Sequence, residues 1–97
     1  MDFIQILEFR TSDIDKMRAL ENEWRDATVG KRTLRRSILC RDCNDENRYL
    51  VFAFFDSAES ATVNSALPET TRFATEASEI VDAPIAFQDL SVVDDRT

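Results

Sequence analysis

The sequence predicts an α+β domain whose elements follow the chain in the order β-α-β-β-α-β, the split βαβ or ferredoxin-like arrangement. Residues 49–55 are apolar at every position, which is typical of a strand covered on both faces. Two stretches carry apolar residues at helical spacing, one in each half of the chain. The second strand is rich in arginine and suits a sheet edge, whereas the more apolar first and third strands suit the centre.

The first half of the chain contains a strand, a helix and a second strand. Bulky β-formers predict the first strand over Phe3–Phe9, with Phe3, Leu7 and Phe9 on one face and Ile4 and Ile6 on the other. The first helix is predicted over Asp13–Val29 and ends at Gly30, the single glycine, which suits a left-handed cap. Its apolar stripe consists of Ile14, Met17, Leu20, Trp24 and Ala27. The second strand is predicted over Thr33–Arg41, with Leu34, Ile38 and Cys40 on one face.

The second half of the chain has a broken helix between two strands. A polar turn over Asp42–Asn47 leads into the strand Tyr49–Phe55, and the last strand is predicted over Ile85–Val93 before a solvated tail. Asp56 or Ser57 caps the second helix. Proline is disfavoured inside a helix, so a kink or break is expected at Leu67-Pro68. The helix then resumes with Phe73, Ala77, Ile80 and Val81 and ends at Asp82–Pro84.

The apolar third strand also predicts how the chain assembles. A single domain of 97 residues with two helices can cover only one face of its sheet. The simplest cover for the other face is a second copy of the chain. We therefore expect a homodimer formed through sheet faces, with Leu50, Phe52 and Phe54 buried against the partner.

Charge and composition exclude several classes of function. The formal charge is −7, from 19 acidic and 12 basic residues, which argues against binding to nucleic acid or to an anionic membrane surface. The chain has no histidine, the commonest general acid or base and the commonest metal ligand. The start Met1-Asp2-Phe3 lacks a basic region followed by an apolar stretch, and no apolar run could span a bilayer, so the cytoplasm is the expected location.

Two local motifs have both a functional and a structural interpretation. Cys40 and Cys43 have the spacing of a redox or zinc motif, but no helix is predicted after them and the chain offers no further cysteine or histidine. Two chains could share a four-cysteine zinc site across a twofold axis; the other interpretation is a pair of ordinary reduced thiols. The basic run Lys31–Arg36 with Arg41 fits either a charged edge strand or an anion site.

The broken second helix carries a resemblance to a known family. Its segments Phe54–Ala61 and Ser65–Phe73 resemble those of the dimeric α+β barrel superfamily, and most of all the antibiotic-biosynthesis-monooxygenase-like domains. The resemblance implies two sheets paired into a barrel and a pocket between sheet and helices in each subunit. Members of that superfamily include cofactor-independent oxygenases, haem-degrading enzymes, isomerases and proteins without known activity, so the resemblance leaves these functions open.

The lack of histidine, the single cysteine pair and the mismatch with haem-degrading relatives lead us to expect no metal and no cofactor. In haem-degrading relatives an asparagine, a tryptophan and a histidine stand at positions that correspond to Leu7, Phe55 and the neighbourhood of Asn64. None of the three matches, and the usual axial ligand is missing because the chain lacks histidine.

The second helix also predicts a ligand site. Residues 58–66 are mostly Ala, Ser and Thr, which either lets the helix lie close to the sheet or leaves room beside it. The expected pocket is floored by Leu7 and Phe55 and contacted by Gln5, Trp24 and Asn64. Each of the last two also has a structural interpretation, which we favour: Trp24 lies on an apolar helical stripe and fits a core residue, and Asn64 fits a surface residue of the helix. The predicted function is binding of a small apolar or aromatic molecule, or assembly without catalysis; the alternative is a cofactor-independent monooxygenase or isomerase that acts on a small aromatic substrate.

Overall fold

Four strands and three helices make up the computed structural model, which describes residues 2–97. They are β1 Phe3–Arg10, α1 Ile14–Ala27, β2 Arg36–Asp42, β3 Asp45–Phe55, α2 Ala58–Ser65, α3 Pro68–Ser78 and β4 Ala86–Ser91. Helices α2 and α3 are the two halves of the predicted second helix, so the predicted order of elements is confirmed. In residues 2–97, none of the helices has the length and apolar character needed to cross a membrane.

The four strands form one antiparallel sheet in the order β2-β3-β1-β4. The apolar strands β1 and β3 are central and the arginine-bearing β2 is at an edge, as predicted. Along β1, Leu7 is paired with Val51 of β3 on one side and with Phe87 of β4 on the other. Because side chains alternate between faces with a period of two, this register decides which residues of all four strands share a face.

The helices pack on one face of the sheet, where the buried residues form two clusters. The first cluster contains Phe9, Met17, Leu20, Tyr49 and Ala77. Within it the rings of Phe9 and Tyr49 stack with centroids 5.6 Å apart. The second cluster contains Ala53, Phe55 and Ala61, with Phe3, Leu7 and Leu34 packed against it. The predicted division of β1, with Phe3, Leu7 and Phe9 facing one way, is confirmed by their places in these clusters.

The break in the second helix lies where proline requires it. The side chain of Ser57, and not that of Asp56, caps α2 by accepting a hydrogen bond from the backbone of Ser60. Leu67 is extended, with φ −63° and ψ 136°, and Pro68 occupies the first turn of α3, where its missing N–H costs nothing. The chain therefore ends one helix and starts another within three residues.

Several predicted element ends are wrong by a few residues. Helix α1 ends at Ala27, although Gly30 adopts the expected positive φ of 78°. Helix α3 ends at Ser78, so Ile80 and Val81 follow it in a tight turn and still pack against the first cluster. The turn between β2 and β3 is only two residues long, because Asp45 already pairs with Asp42.

The predicted face of Leu34 is also wrong. Leu34 precedes β2 and packs against the second cluster on the helix side, whereas Ile38 pairs with Phe52 on the opposite face. The alternation of faces holds only within a regular strand, and β2 begins at Arg36. Before that point the backbone of Thr33 bonds to the side chain of Asn64, which holds the segment against α2.

Candidate functional site

The face of the sheet opposite the helices is apolar at its centre. Its side chains, which belong to neither buried cluster and which we call the open face, include Ile4, Ile6, Ile38, Leu50, Phe52 and Phe54. Most of them are half-buried by their neighbours in the sheet. At one rim the guanidinium of Arg36 lies 5.6 Å from the ring centroid of Phe54, a cation–π contact. A contiguous apolar patch of this kind with a charged rim is typical of an interaction surface.

One end of the open face carries a network of ion pairs. Arg48 donates from Nε to Oε2 of Glu8 at 2.9 Å and from Nη1 to Oδ2 of Asp42 at 2.7 Å. Arg10 donates to Asp45 beside it. The backbone N–H of Asn44 and the guanidinium of Arg48 lower the pKa of Asp42. The pKa of Asp45 is lowered by its hydrogen bond to Arg10 and by the backbone N–H of Asn47.

These lowered pKa values predict an acid-dependent loss of stability. Each carboxylate binds protons less readily in the folded chain than in the unfolded chain, so its stabilising contribution is fully present above the ordinary aspartate pKa of about 4. The contribution is lost as the pH falls through the folded pKa. Thermal melts from pH 7 to pH 3 should show a fall in Tm that begins near about pH 4. The double variant Asp42→Asn with Asp45→Asn should make the fall in Tm less steep, whereas the tail variant Asp94→Asn, the control, should not. An equally steep fall in the double variant, or an equal change in the control, would show that Asp42 and Asp45 are not its source.

Of the predicted ligand-site residues, Leu7 and Phe55 lie together in the second cluster. Phe55 is only 4% exposed, and its ring centroid lies 6.5 Å from that of Phe3. The small side chains of Ala53 and Ala61 are buried in the same cluster, so α2 lies close to the sheet there. The small residues of α2 were predicted either to let the helix lie close to the sheet or to leave room beside it. At Ala61 the helix lies close to the sheet.

Asn64 is a buried residue, and its favoured interpretation as a surface residue of the helix is wrong. It is 7% exposed, and its Oδ1 accepts a hydrogen bond from the backbone N–H of Thr33 at 3.1 Å. The hydroxyl of Thr33 donates to the carbonyl of Ser60 at 2.6 Å. The segment between α1 and β2 folds back over α2, and Asn64 ties it to that helix.

Trp24 is a core residue, as its helical stripe predicted. It is 8% exposed, and its indole Nε1 donates to Oγ1 of Thr70 on α3 at 2.9 Å. Its ring centroid lies 6.5 Å from that of Phe73. The contacts hold α1 against α3.

Two adjoining cavities lie between α1 and α3. Their volumes are about 490 Å³ and 320 Å³, and they share Leu20, Glu23 and Glu76. Their lining combines apolar side chains with mostly acidic charged residues, which include Asp26, Glu69 and Glu79 in addition to the shared glutamates. Trp24 lines the larger cavity, whereas Gln5, Leu7, Phe55 and Asn64 line neither. The structure therefore separates Trp24 from the other predicted ligand-site residues.

Two polar and two apolar side chains lie together where β1 pairs with β4, on the side of the sheet that bears the helices. Gln5 is paired with Asp89 and Leu7 with Phe87, and Nε2 of Gln5 donates to Oδ1 of Asp89 at 3.1 Å. Phe87 is 62% exposed. We call these four residues, Gln5, Leu7, Phe87 and Asp89, the β1–β4 shelf. Two of them were predicted as ligand contacts; Phe87 and Asp89 were not, because only the register of β4 brings them beside β1.

The two local motifs take ordinary positions in the structure. Cys40 lies on β2 and Cys43 in the following turn, both with free and exposed thiols. No group of three or more His, Cys, Asp or Glu side chains in residues 2–97 is arranged to hold a metal ion. Arg35 pairs with Asp56, Arg36 with the ring of Phe54 and Arg41 with the ring of Tyr49. Because the arginines have different partners, the structure favours the edge-strand interpretation over a shared anion site.

The order of the strands, the broken second helix and the helix-bearing face define a ferredoxin-like α+β fold. No protein-family model matches the chain, and a search of curated proteins also finds no match. Solved structures do match, and several of them are described as antibiotic biosynthesis monooxygenases. The resemblance predicted from the broken helix is confirmed for the fold.

Three of these structures cover nearly the whole chain. SnoaB from Streptomyces nogalater, a cofactor-independent oxygenase, has a TM-score of 0.81 at 12% identity, with 97% of this chain and 95% of SnoaB covered. A proposed antibiotic biosynthesis monooxygenase from Caulobacter crescentus has a TM-score of 0.81 at 8% identity, covering 96% and 91%. Rv0793 from Mycobacterium tuberculosis has a TM-score of 0.80 at 16% identity and complete coverage of both chains. At such identities the similarity concerns the fold alone, and function has to be argued from the site.

Proposed function

We propose that this protein binds a small apolar or aromatic molecule on the β1–β4 shelf. The observation that supports the proposal is the exposure of Phe87, 62% of which faces solvent although it lies beside Leu7 on the helix-bearing side of the sheet. Covering apolar surface of this kind stabilises a complex by roughly 25 cal/mol per Å². A planar ligand would be held mainly by contact with Leu7 and Phe87.

The polar half of the shelf suits orientation of such a ligand. Gln5 and Asp89 occupy the rung next to Leu7 and Phe87 and are hydrogen-bonded to each other. Small-molecule sites usually combine apolar walls with a few polar groups that fix the ligand's orientation. Gln5 and Leu7 of the predicted site keep their proposed roles, while Phe55 supports the shelf from within the second cluster. Asn64 and Trp24 lie outside the shelf, and we propose no contact between either residue and the ligand of the shelf.

Truncation of Phe87 tests the shelf. Phe87→Ala should weaken binding of 2-naphthol about tenfold, because roughly 1.4 kcal/mol of ring contact is lost. Its thermal stability should change little, since the ring is mostly exposed. Isothermal titration calorimetry measures the affinity. Val93→Ala, a truncation at another exposed apolar residue, serves as the control and should bind like wild type. Equal affinities for Phe87→Ala and wild type would contradict the proposed site.

The same proposal includes a homodimer formed through the open face. Two copies packed on these faces would remove Leu50, Phe52 and Phe54 from water and complete the barrel that the fold implies. The apolar centre of the open face supports this arrangement, and its ion-paired end would form part of the rim.

A second candidate function is cofactor-independent oxygenation of a phenolic ligand on the same shelf. The polar pair of Gln5 and Asp89 beside apolar walls favours it, because such chemistry needs a substrate oriented in an apolar site. The similarity to SnoaB, a cofactor-independent oxygenase, adds a parallel in fold. Oxygen uptake measured with an electrode, in the presence of a chelator and a bound phenol, separates this candidate from simple binding: uptake above that of Phe87→Ala supports oxygenation, and none above it supports binding alone.

A further inference from the structure

We propose that the space between α1 and α3 is a second ligand site, which binds a small organic cation with an apolar body, such as an aromatic amine. We call it the α1–α3 groove; it consists of the two adjoining cavities of about 490 Å³ and 320 Å³. The inference does not depend on the β1–β4 shelf, because none of the shelf residues lines either cavity. Both helices pack on the side of the sheet away from the open face, so the proposed homodimer leaves the groove accessible.

The size and the apolar lining of the groove suit the body of a small molecule. Ligand cavities usually enclose roughly 300–1,000 Å³, a range that includes each of the two cavities. The larger one is lined by Leu20 and by the rings of Trp24 and Phe73, whose centroids lie 6.5 Å apart. Their carbon surfaces offer an apolar contact, and the face of an aromatic ring also attracts a cation.

The charged side chains of the groove decide the sign of the ligand. Five of them are acidic and two, Lys16 and Arg72, are basic, so negative charge is in excess. Glu23 from α1 and Glu76 from α3 line both cavities and therefore lie where the cavities adjoin. Within residues 2–97 Glu23 takes part in no ion pair, and Glu76 has only a contact of 3.8 Å with the exposed Arg72. An ammonium group between the helices would neutralise both carboxylates.

Several of these carboxylates lie where they disfavour the helices themselves. Asp26 is in the last turn of α1, Glu76 is in the last turn of α3 and Glu79 caps that helix. The carboxyl end of a helix carries partial negative charge, which repels acidic side chains and favours basic ones. Helix stability therefore does not account for their positions, whereas a bound cation would be attracted by the carboxylates and by the nearby helix end.

The direct test compares 2-(aminomethyl)naphthalene, a cation at neutral pH, with 2-naphthalenemethanol, which has the same ring and no charge. The chain has one tryptophan, so the indole N–H of Trp24 gives a single signal in a proton–nitrogen NMR spectrum, and titration of that signal measures binding in the groove. Wild type should bind the amine about fivefold more tightly at low salt, the effect expected of an ammonium beside two partly exposed carboxylates. The preference should shrink when the salt concentration is raised to about 1 M.

Three variants separate the effect of charge from that of the cavity. Glu23→Gln with Glu76→Gln should bring the ratio of the two affinities close to one. Glu46→Gln with Glu59→Gln, the control, removes the same charge from exposed positions on β3 and α2 and should keep the wild-type ratio. Ala27→Phe, which fills part of the larger cavity without a change of charge, should weaken binding of both compounds. Thermal melts confirm that each variant is folded.

The outcomes also separate the groove from the β1–β4 shelf. Equal binding of amine and alcohol by wild type, or a preference that survives the loss of both Glu23 and Glu76, would overturn the inference. Loss of amine binding in Phe87→Ala would overturn it as well, because the amine would then occupy the shelf. We expect Phe87→Ala to bind the amine like wild type, and the test of the shelf with 2-naphthol stays independent of this result.

Discussion

Replacing Phe52 by aspartate is expected to cause unfolding or aggregation. Phe52 lies at the centre of the open face, paired with Ile6 on one side and Ile38 on the other. In the proposed homodimer this face is a buried layer of core, and an interface that replaces such a layer should be of the obligate type, burying roughly 2,000 Å² or more in total. A charge placed there without a partner is costly to bury. Folding and assembly would fail together, because the free energy of association stabilises the folded chain.

A monomer predicts the opposite result, which makes the test sharp. In a single chain Phe52 is only half-buried, so aspartate would be tolerated at modest cost. Light scattering measures the mass of the wild type, and circular dichroism measures the folding of the variant. Val63→Asp, the same kind of change at an exposed site on α2, is the control and should remain folded and assembled. A wild type that stays monomeric at micromolar concentration would end the homodimer proposal.

Trp24→Ala is expected to lower the free energy of unfolding by about 3–5 kcal/mol, the usual cost of truncating a buried aromatic residue. The indole is buried between α1 and α3, where it contacts Phe73 and donates to the hydroxyl of Thr70. A loss of this size is a large share of the stability of an ordinary domain. It is measured by urea unfolding at one fixed protein concentration, since assembly would contribute to the result.

Two further variants divide the effect of Trp24 into its parts. Trp24→Phe retains most of the ring but lacks the indole N–H, so it should cost less than alanine. Val29→Ala, on a residue that is exposed just beyond the same helix, is the control and should stay within about 0.5 kcal/mol of wild type. A loss below about 1 kcal/mol for Trp24→Ala would mean that this tryptophan does not anchor the two helices.

The sheet topology and the helix break could be predicted because both depend on local signals. The run Tyr49–Phe55 is apolar throughout, and only a central strand accommodates such a run. Pro68 breaks the second helix wherever that helix packs, since the cause is its own ring and missing N–H. These features do not require knowledge of distant neighbours.

The burial of Asn64 and the side of the sheet on which Leu34 packs could not be predicted, because both depend on the path of one loop. The segment before β2 folds back on α2, where the backbone of Thr33 finds its partner in Asn64. A short polar residue on a helix gives no sign in the sequence that a loop some 31 positions away will cover it. The same fold-back carries Leu34 to the helix side of the sheet.

By itself the sequence determined the order of the elements, the central position of the two apolar strands and the place of the helix break, because periodicity and proline chemistry act over a few residues. The tertiary structure decided which side chains meet. Phe87 lies beside Leu7, and Asp89 bonds to Gln5 across 84 positions of the chain, only through the register of β4. A shift of one residue in that register would turn both side chains to the other face, since the period of a strand is two. The candidate site is therefore a property of strand pairing, which depends on all the contacts of the folded sheet.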